Sequence, residues 1–363
     1  MWRPLSAIVF LLAIVNPLAE ASRLSSDQLQ LDDYLDYDGV MQYLDQLARA
    51  YADRITLKDM GRTVENRSLI LAMVTNGDGR LGKRVIFMDA ALQANAWMTP
   101  VAALYTIYKL VVEFEENADL LADFDWHIMP LANPDGYEYS RKTNTRWMKT
   151  RTPNGGNCNG TDLDRNFEVG FGLGFWEIRG PCEDNYAGYA PFSEVEARTV
   201  RDIMHSLVKS ERGVMYLSLH KSHRSVSYPW VYDSTPVPNQ GEHIEIGKFV
   251  ADKILESTGK AINIWPGIIY GRESGGTSID YAFYIGFPLS FVFNNGVFST
   301  TSKIRRVADE SWTGIRAFGK KAIEKYPPSR PIHQSEEHRP TKNSASRNWD
   351  LAPVVGTTTL LFL

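Results

Sequence analysis

The chain is 363 residues long, 44% hydrophobic and 23% charged, the balance of a globular protein able to bury most of its unfolded surface. Its formal net charge of -4 provides no basic stripe to follow a phosphate backbone and no acidic block, so nucleic acid is not an expected partner.

Arg3 precedes an apolar run from Leu5 to Val15, and Ala19-Glu20-Ala21 is a small-x-small cleavage site, so residues 1–21 read as a secretory signal peptide. The run is too short to be a membrane anchor, which needs about 20 apolar residues. Residues 22–33 form a short N-terminal segment. From Val40, Met41, Leu44, Leu47, Ala48 and Tyr51 comes the first helical stripe. Asn66-Arg67-Ser68 and Asn159-Gly160-Thr161 are glycosylation patterns that matter only in an exported chain. Export also permits a disulfide, and the two cysteines, Cys158 and Cys182, can pair in one way, with two buried free thiols as the alternative.

Apolar, β-branched runs over Arg84 to Leu92, Phe124 to Leu131, Val214 to His220 and Phe287 to Asn294 predict strands. Helices are predicted between them: one opened by Thr99 as N-cap with Pro100 behind it and running through Val112, and one opened by a Ser193-x-x-Glu196 capping box and running to about Ser206. Near-continuously apolar strands separated by helices predict a single α/β domain over residues 34–326, with a mixed, mostly parallel central sheet and helices on both faces. In such sheets ligands bind where the strands end at their carboxyl edge. From Pro327 the composition turns polar and Pro-rich, so residues 327–363 are expected to be a disordered tail with an apolar end. Small residues at Ser344 to Ser346 ahead of the apolar Val354 to Leu363 make a lipid-anchor signal the one route to a membrane.

The first predicted strand exits into Gln93-Ala94-Asn95-Ala96-Trp97. With Asn133-Pro134-Asp135-Gly136-Tyr137, Trp147-x-Lys149-Thr150-Arg151, Asp162-Leu163-Asp164-Arg165-Asn166-Phe167, Leu217-Ser218-Leu219-His220 and Ser274-Gly275-Gly276-Thr277-Ser278 in that order, the sequence resembles the zinc metallocarboxypeptidases of the pancreatic A/B type. The resemblance runs from about Tyr34 to Tyr326 and implies a carboxypeptidase A-like fold. In that family the first strand exit carries His-Ala-Arg-Glu-Trp, whose His and Glu ligate zinc beside a later His. The corresponding positions here are Gln93, Ala96 and His220.

A methyl cannot ligate a metal and a neutral amide is a poor zinc donor, so one ligand is left where catalytic zinc needs three. The family's general base, a Glu on a late strand, falls at Asn294, and an amide cannot accept a proton near neutral pH. Two arginines of the family become Asn95 and Met148. Of the clamp that grips a substrate's terminal carboxylate, Arg165 and Tyr270 stay while the clamp Asn is Asp164. Ile279 stands where the specificity pocket of A-type enzymes is apolar, or else is a plain core residue. His223 and Glu273 beside His220 form the one improvised metal set the sequence offers, while His127, His205 and His243 lie on other elements. Pancreatic-type enzymes carry a folded inhibitory pro-domain that residues 22–33 are too few to supply.

The expectation is therefore a secreted, catalytically degenerate carboxypeptidase-like protein that keeps the fold as a binding or scaffold module for an extracellular protein or peptide, with no cofactor. The alternative is an active, A-like zinc carboxypeptidase for apolar C-terminal residues, with an unusual metal site holding zinc.

Overall fold

The computed structural model describes residues 29, 31–174, 180–221, 223–267, 274–294, 300–328 and 330. The expectations for residues 1–21, for most of residues 22–33 and 327–363, and for Tyr270 and Glu273 lie outside the described residues.

Eight strands form one sheet in the order β1-β2-β4-β3-β5-β8-β6-β7. They are β1 (Ile55–Arg62), β2 (Ser68–Val74), β3 (Arg84–Ala90), β4 (Phe124–Met129), β5 (Gly213–His220), β6 (Ser225–Tyr228), β7 (Asn263–Pro266) and β8 (Leu289–Asn294). The four central strands, β4, β3, β5 and β8, run parallel, and β1, β2 and β6 add antiparallel pairings toward the edges. Every residue of β3, β5 and β8 is buried, as strands sandwiched between helices must be. Along β3, Ile86 and Met88 enter one apolar cluster while Val85 and Phe87 enter another on the opposite face.

The first cluster is covered by α1 (Tyr37–Ala50), α2 (Met98–Val111), α6 (Gln240–Thr258) and α8 (Ile304–Lys325), with α3 (Phe114–Asn117) and α4 (Pro134–Lys142) at its border. The second is covered by α5 (Val195–Lys209) and α7 (Ser278–Ile285). The single α/β domain and its mixed, mostly parallel sheet are as the sequence predicts. In α1 the carboxylate of Asp36 accepts from Gly39 N at 2.8 Å, and Val40, Tyr43, Leu44 and Leu47 face the core.

Two predicted helix starts are corrected. Thr99 does not cap α2, which begins at Met98 with Trp97 at the N-cap. Its hydroxyl instead donates to Ala96 O (2.8 Å) and accepts from Ala91 N (2.9 Å), so it ties the β3 exit to the helix. Ser193 does not cap α5 either, because Glu194 holds the N-cap position. The Ser193 hydroxyl joins those of Thr150, Thr152 and Thr161 in donating to the Glu194 carboxylate at 2.6 to 3.0 Å. Glu196, the other half of the expected capping box, is buried and neither of its carboxylate oxygens has a hydrogen-bond partner.

The cysteines form the disulfide Cys158–Cys182. Beyond α8, Arg84 donates to the carbonyls of Tyr326 and Pro328 at 3.0 Å each, and Arg330 pairs with Glu242 at 2.9 Å, so the chain stays fastened just past the helix. No helix among the described residues is long and apolar enough to cross a membrane.

Candidate functional site

The carboxyl ends of β3, β5 and β8 open on one side of the sheet, and the chain collects its polar side chains there. His220 ends β5 and is paired in register with Asn294, which ends β8. Both are nearly buried, at 7% and 8% exposure. The Asn294 amide donates to Ser225 Oγ at 3.1 Å. Beneath them, in the strands, Ser218 donates to Asp89 Oδ1 at 2.7 Å and Tyr216 donates to Asp89 Oδ2. With its single proton on Asp89, Ser218 accepts from His220 Nε2 at 3.0 Å. Burial pushes the Asp89 carboxyl up to about 7, against the pull of those two hydroxyl donors.

The segment from Asp162 to Val169 lies beside this end of the sheet and is held there by backbone contacts that require glycine. A Cβ on Gly276, whose φ is +73°, would stand 2.1 Å from Arg165 O. Phe167 N donates to Gly276 O (3.0 Å), and Gly276 N donates to Val169 O (2.7 Å). This contact sets Asp164 against the start of α7, where its Oδ1 accepts from both Ser278 N and Ser278 Oγ at 3.0 Å. Its Oδ2 lies 3.9 Å from His220 Nδ1, too far for a hydrogen bond. Asp162 accepts from Asp164 N at 3.2 Å and has Arg165 Nε at 3.9 Å. Desolvation raises the Asp162 carboxyl to about 6, with the Arg165 charge opposing and the Asp164 charge adding to it. Asp280 is likewise raised to about 7, chiefly by burial.

The loop after β3 completes the site. Gln93 is half-buried and Ala96 buried. Asn95 donates to Arg146 O at 2.8 Å, while its own Oδ1 is buried with no partner. Asn133 fastens this loop to its neighbours: its amide donates to Leu92 O and Lys149 O at 3.2 Å each, and its Oδ1 caps α4 by accepting from Gly136 N at 3.0 Å. Met148 is half-buried next to Lys149, whose ammonium donates to Pro181 O at 2.7 Å.

The zinc carboxypeptidase family model matches residues 40–314. The chain belongs to the zinc carboxypeptidase family. Carboxypeptidase B of Helicoverpa zea is 32% identical over 323 residues, spanning 82% of this chain and 72% of that protein. Carboxypeptidase A2 of Rattus norvegicus is 30% identical over 298 residues, spanning 78% and 69%. The crystal structure of the carboxypeptidase A from Helicoverpa armigera superposes with a TM-score of 0.75 at 26% identity, covering 85% of this chain and 78% of that one.

The side chains at the positions that the resemblance assigns to the metal are a poor fit to zinc. The metal takes nitrogen, oxygen or sulfur donors at about 2.0 to 2.3 Å. Ala96 offers a methyl, Gln93 a neutral amide, and His220 one imidazole whose Nε2 is engaged by Ser218. Among the described residues no group of three or more His, Cys, Asp or Glu side chains could hold a metal ion. Of the improvised set, His220 ends β5 and His223 is exposed, while Glu273 lies outside the described residues.

The other residues singled out in the sequence divide into two groups. Asp164, Arg165, Asn294 and His220 come to the same end of the sheet. Ile279 is buried at 1% exposure in the apolar cluster beneath α7, and its carbonyl accepts from Ser290 Oγ at 2.8 Å. Asn66 is exposed in the β1–β2 turn with φ of +64°, and Asn159 is half-buried beside the disulfide. Of the remaining histidines, His243 is fully buried, with Nδ1 facing Asn239 O at 3.3 Å and Nε2 accepting from Ser290 N at 3.3 Å. The residues that sequence reasoning missed are Asp89, Ser218 and Ser278, which brace His220 and Asp164. An acidic residue inside the run Arg84-Val85-Ile86-Phe87-Met88-Asp89-Ala90 was the one available signal.

Proposed function

We propose that this chain does not hydrolyse peptides and that its cleft is kept as a binding module for an extracellular protein or peptide. The observation that carries the reading is the donor set at the strand ends: Gln93, Ala96 and His220 where three ligands are needed, and Asn294 at the base position with its amide engaged by Ser225. Zinc would lower the pKa of an attacking water and polarise the scissile carbonyl, and a carboxylate would take the proton. Loss of the base alone removes roughly 100- to 10,000-fold of rate. The signal-like residues 1–21 support export, and the Cys158–Cys182 bridge agrees with an oxidising compartment.

The test is an assay of the purified protein with blocked dipeptides ending in Phe or Leu, in zinc-supplemented buffer with and without a chelator. No turnover above the buffer rate is expected. Chelator-sensitive hydrolysis would sink the proposal and restore the alternative of an active enzyme with an unusual metal site.

A further inference from the structure

We infer that the cleft recognises a peptide end capped as a carboxamide rather than a free carboxylate, with Asp164 and Arg165 as the pair that discriminates. The inference rests on the binding-module reading and names the chemistry of its ligand. A terminal carboxylate presents acceptors only, so a site that grips it must present donors. A primary carboxamide presents an NH2 donor next to a carbonyl acceptor, so its complement is one acceptor beside one donor.

Residues 164 and 165 supply that combination. Oδ1 of Asp164 is taken up by Ser278 N and Oγ, which fixes the carboxylate in place. Oδ2 lies 3.9 Å from His220 Nδ1 and takes no hydrogen bond among the described residues, so this acceptor is open there. Among the described residues the Arg165 guanidinium makes no close ion pair: Asp162 lies 3.9 Å from its Nε, and its side chain is 30% exposed. Both residues are tied to the same buried Asp162, whose Oδ1 accepts from Asp164 N. A free acid placed here would set its charge against two carboxylates, Asp162 and Asp164, with one guanidinium to offset them. An amide meets no such repulsion.

The experiment is a calorimetric titration of the purified full chain with two acetylated tripeptides ending in leucine, one as the carboxamide and one as the free acid. Mass spectrometry of each mixture follows, so that cleavage of the acid, which would contradict the non-hydrolytic reading, is scored separately from affinity. The carboxamide is expected to bind at least about 10-fold tighter, as the charge-assisted bond and the avoided repulsion require. In Asp164→Asn, whose side chain can still accept from Ser278, the preference should fall to parity or reverse. Arg165→Gln should weaken binding of the amide. Equal or tighter binding of the acid, no binding of either peptide, or a preference unmoved in Asp164→Asn would each overturn the inference. A free-acid peptide ending in glutamine separates a terminal amide from a side-chain amide, and binding by it as tight as the capped peptide would also overturn it.

Discussion

Replacing Glu196 by glutamine should stabilise the protein above neutral pH and leave it unchanged in mild acid. Glu196 lies in the first turn of α5, fully buried, and neither oxygen finds a donor. Burial therefore raises its carboxyl from 4.5 to about 8, with the charges of Glu194 and Asp135 adding to the shift. Because the folded value lies above the unfolded one, the group costs nothing below about pH 4.5, where both states carry the proton. The cost then grows with pH until it levels off near 8. At about 1.4 kcal/mol per unit the full span corresponds to roughly 5 kcal/mol, and relaxation that admits water reduces the expected effect to roughly 2 to 3. Glutamine keeps the shape without the charge. Urea denaturation of the disulfide-intact protein at pH 4 and pH 8 should show Glu196→Gln equal to the parent at the lower pH and about 2 to 3 kcal/mol more stable at the higher one. A difference that is the same at both values would refute the reasoning.

The acid limb should have the opposite sign and a different origin. Burial holds His243 and His127 down at about 4, so the unfolded chain takes up protons first as pH falls below about 6.5, and stability should drop between 6.5 and 4. His243→Gln should flatten part of that limb in the same denaturation series. Gly276→Ala should destabilise by roughly 2 to 4 kcal/mol, because it adds both a positive-φ penalty and a clash with the Arg165 backbone, and thermal melting reads the loss. Removing the disulfide by Cys158→Ser with Cys182→Ser frees a loop spanning a sequence separation of 24 and should cost roughly 3 kcal/mol by loop entropy. Gln93→His with Ala96→Glu should recover zinc binding but little hydrolysis until Asn294→Glu is added, as followed by metal content and dipeptide turnover.

The central sheet was legible because its strands are buried on both faces and so read as unbroken apolar runs. The edges were not. In β1 the residues are mostly exposed or half-exposed, and β6 and β7 are four residues each, too short to establish a period. The Asn133-Pro134-Asp135-Gly136 motif is the start of α4, where proline is tolerated in the first turn and Asn133 caps it. The failed helix starts have a common cause. Thr99 and Ser193 could each have accepted from a helix N–H, but both hydroxyls are taken by other local groups: Ala91 N and Ala96 O at the β3 exit for Thr99, and the adjacent Glu194 carboxylate for Ser193.

The candidate site was legible as a set of positions and not as an arrangement. Reading Gln93, Ala96 and His220 in sequence identifies what donors are offered, because donor chemistry belongs to residue type. That Asp164 turns one oxygen to the start of α7 and leaves the other open depends on Gly276 pressing against Arg165, more than a hundred residues apart in the chain. Spacing carries no record of such a contact. Asp89 is a similar case: its place in an apolar strand marks it as unusual, but its partners Tyr216 and Ser218 come from a strand far along the sequence.

A chain with one imidazole at the metal positions should not retain zinc. Elemental analysis of the purified protein, dialysed against zinc-containing buffer and then against metal-free buffer, should find zinc far below one equivalent per chain, since a single imidazole does not retain the ion against dilution. One equivalent of retained zinc per chain, released by His220→Ala, would contradict it.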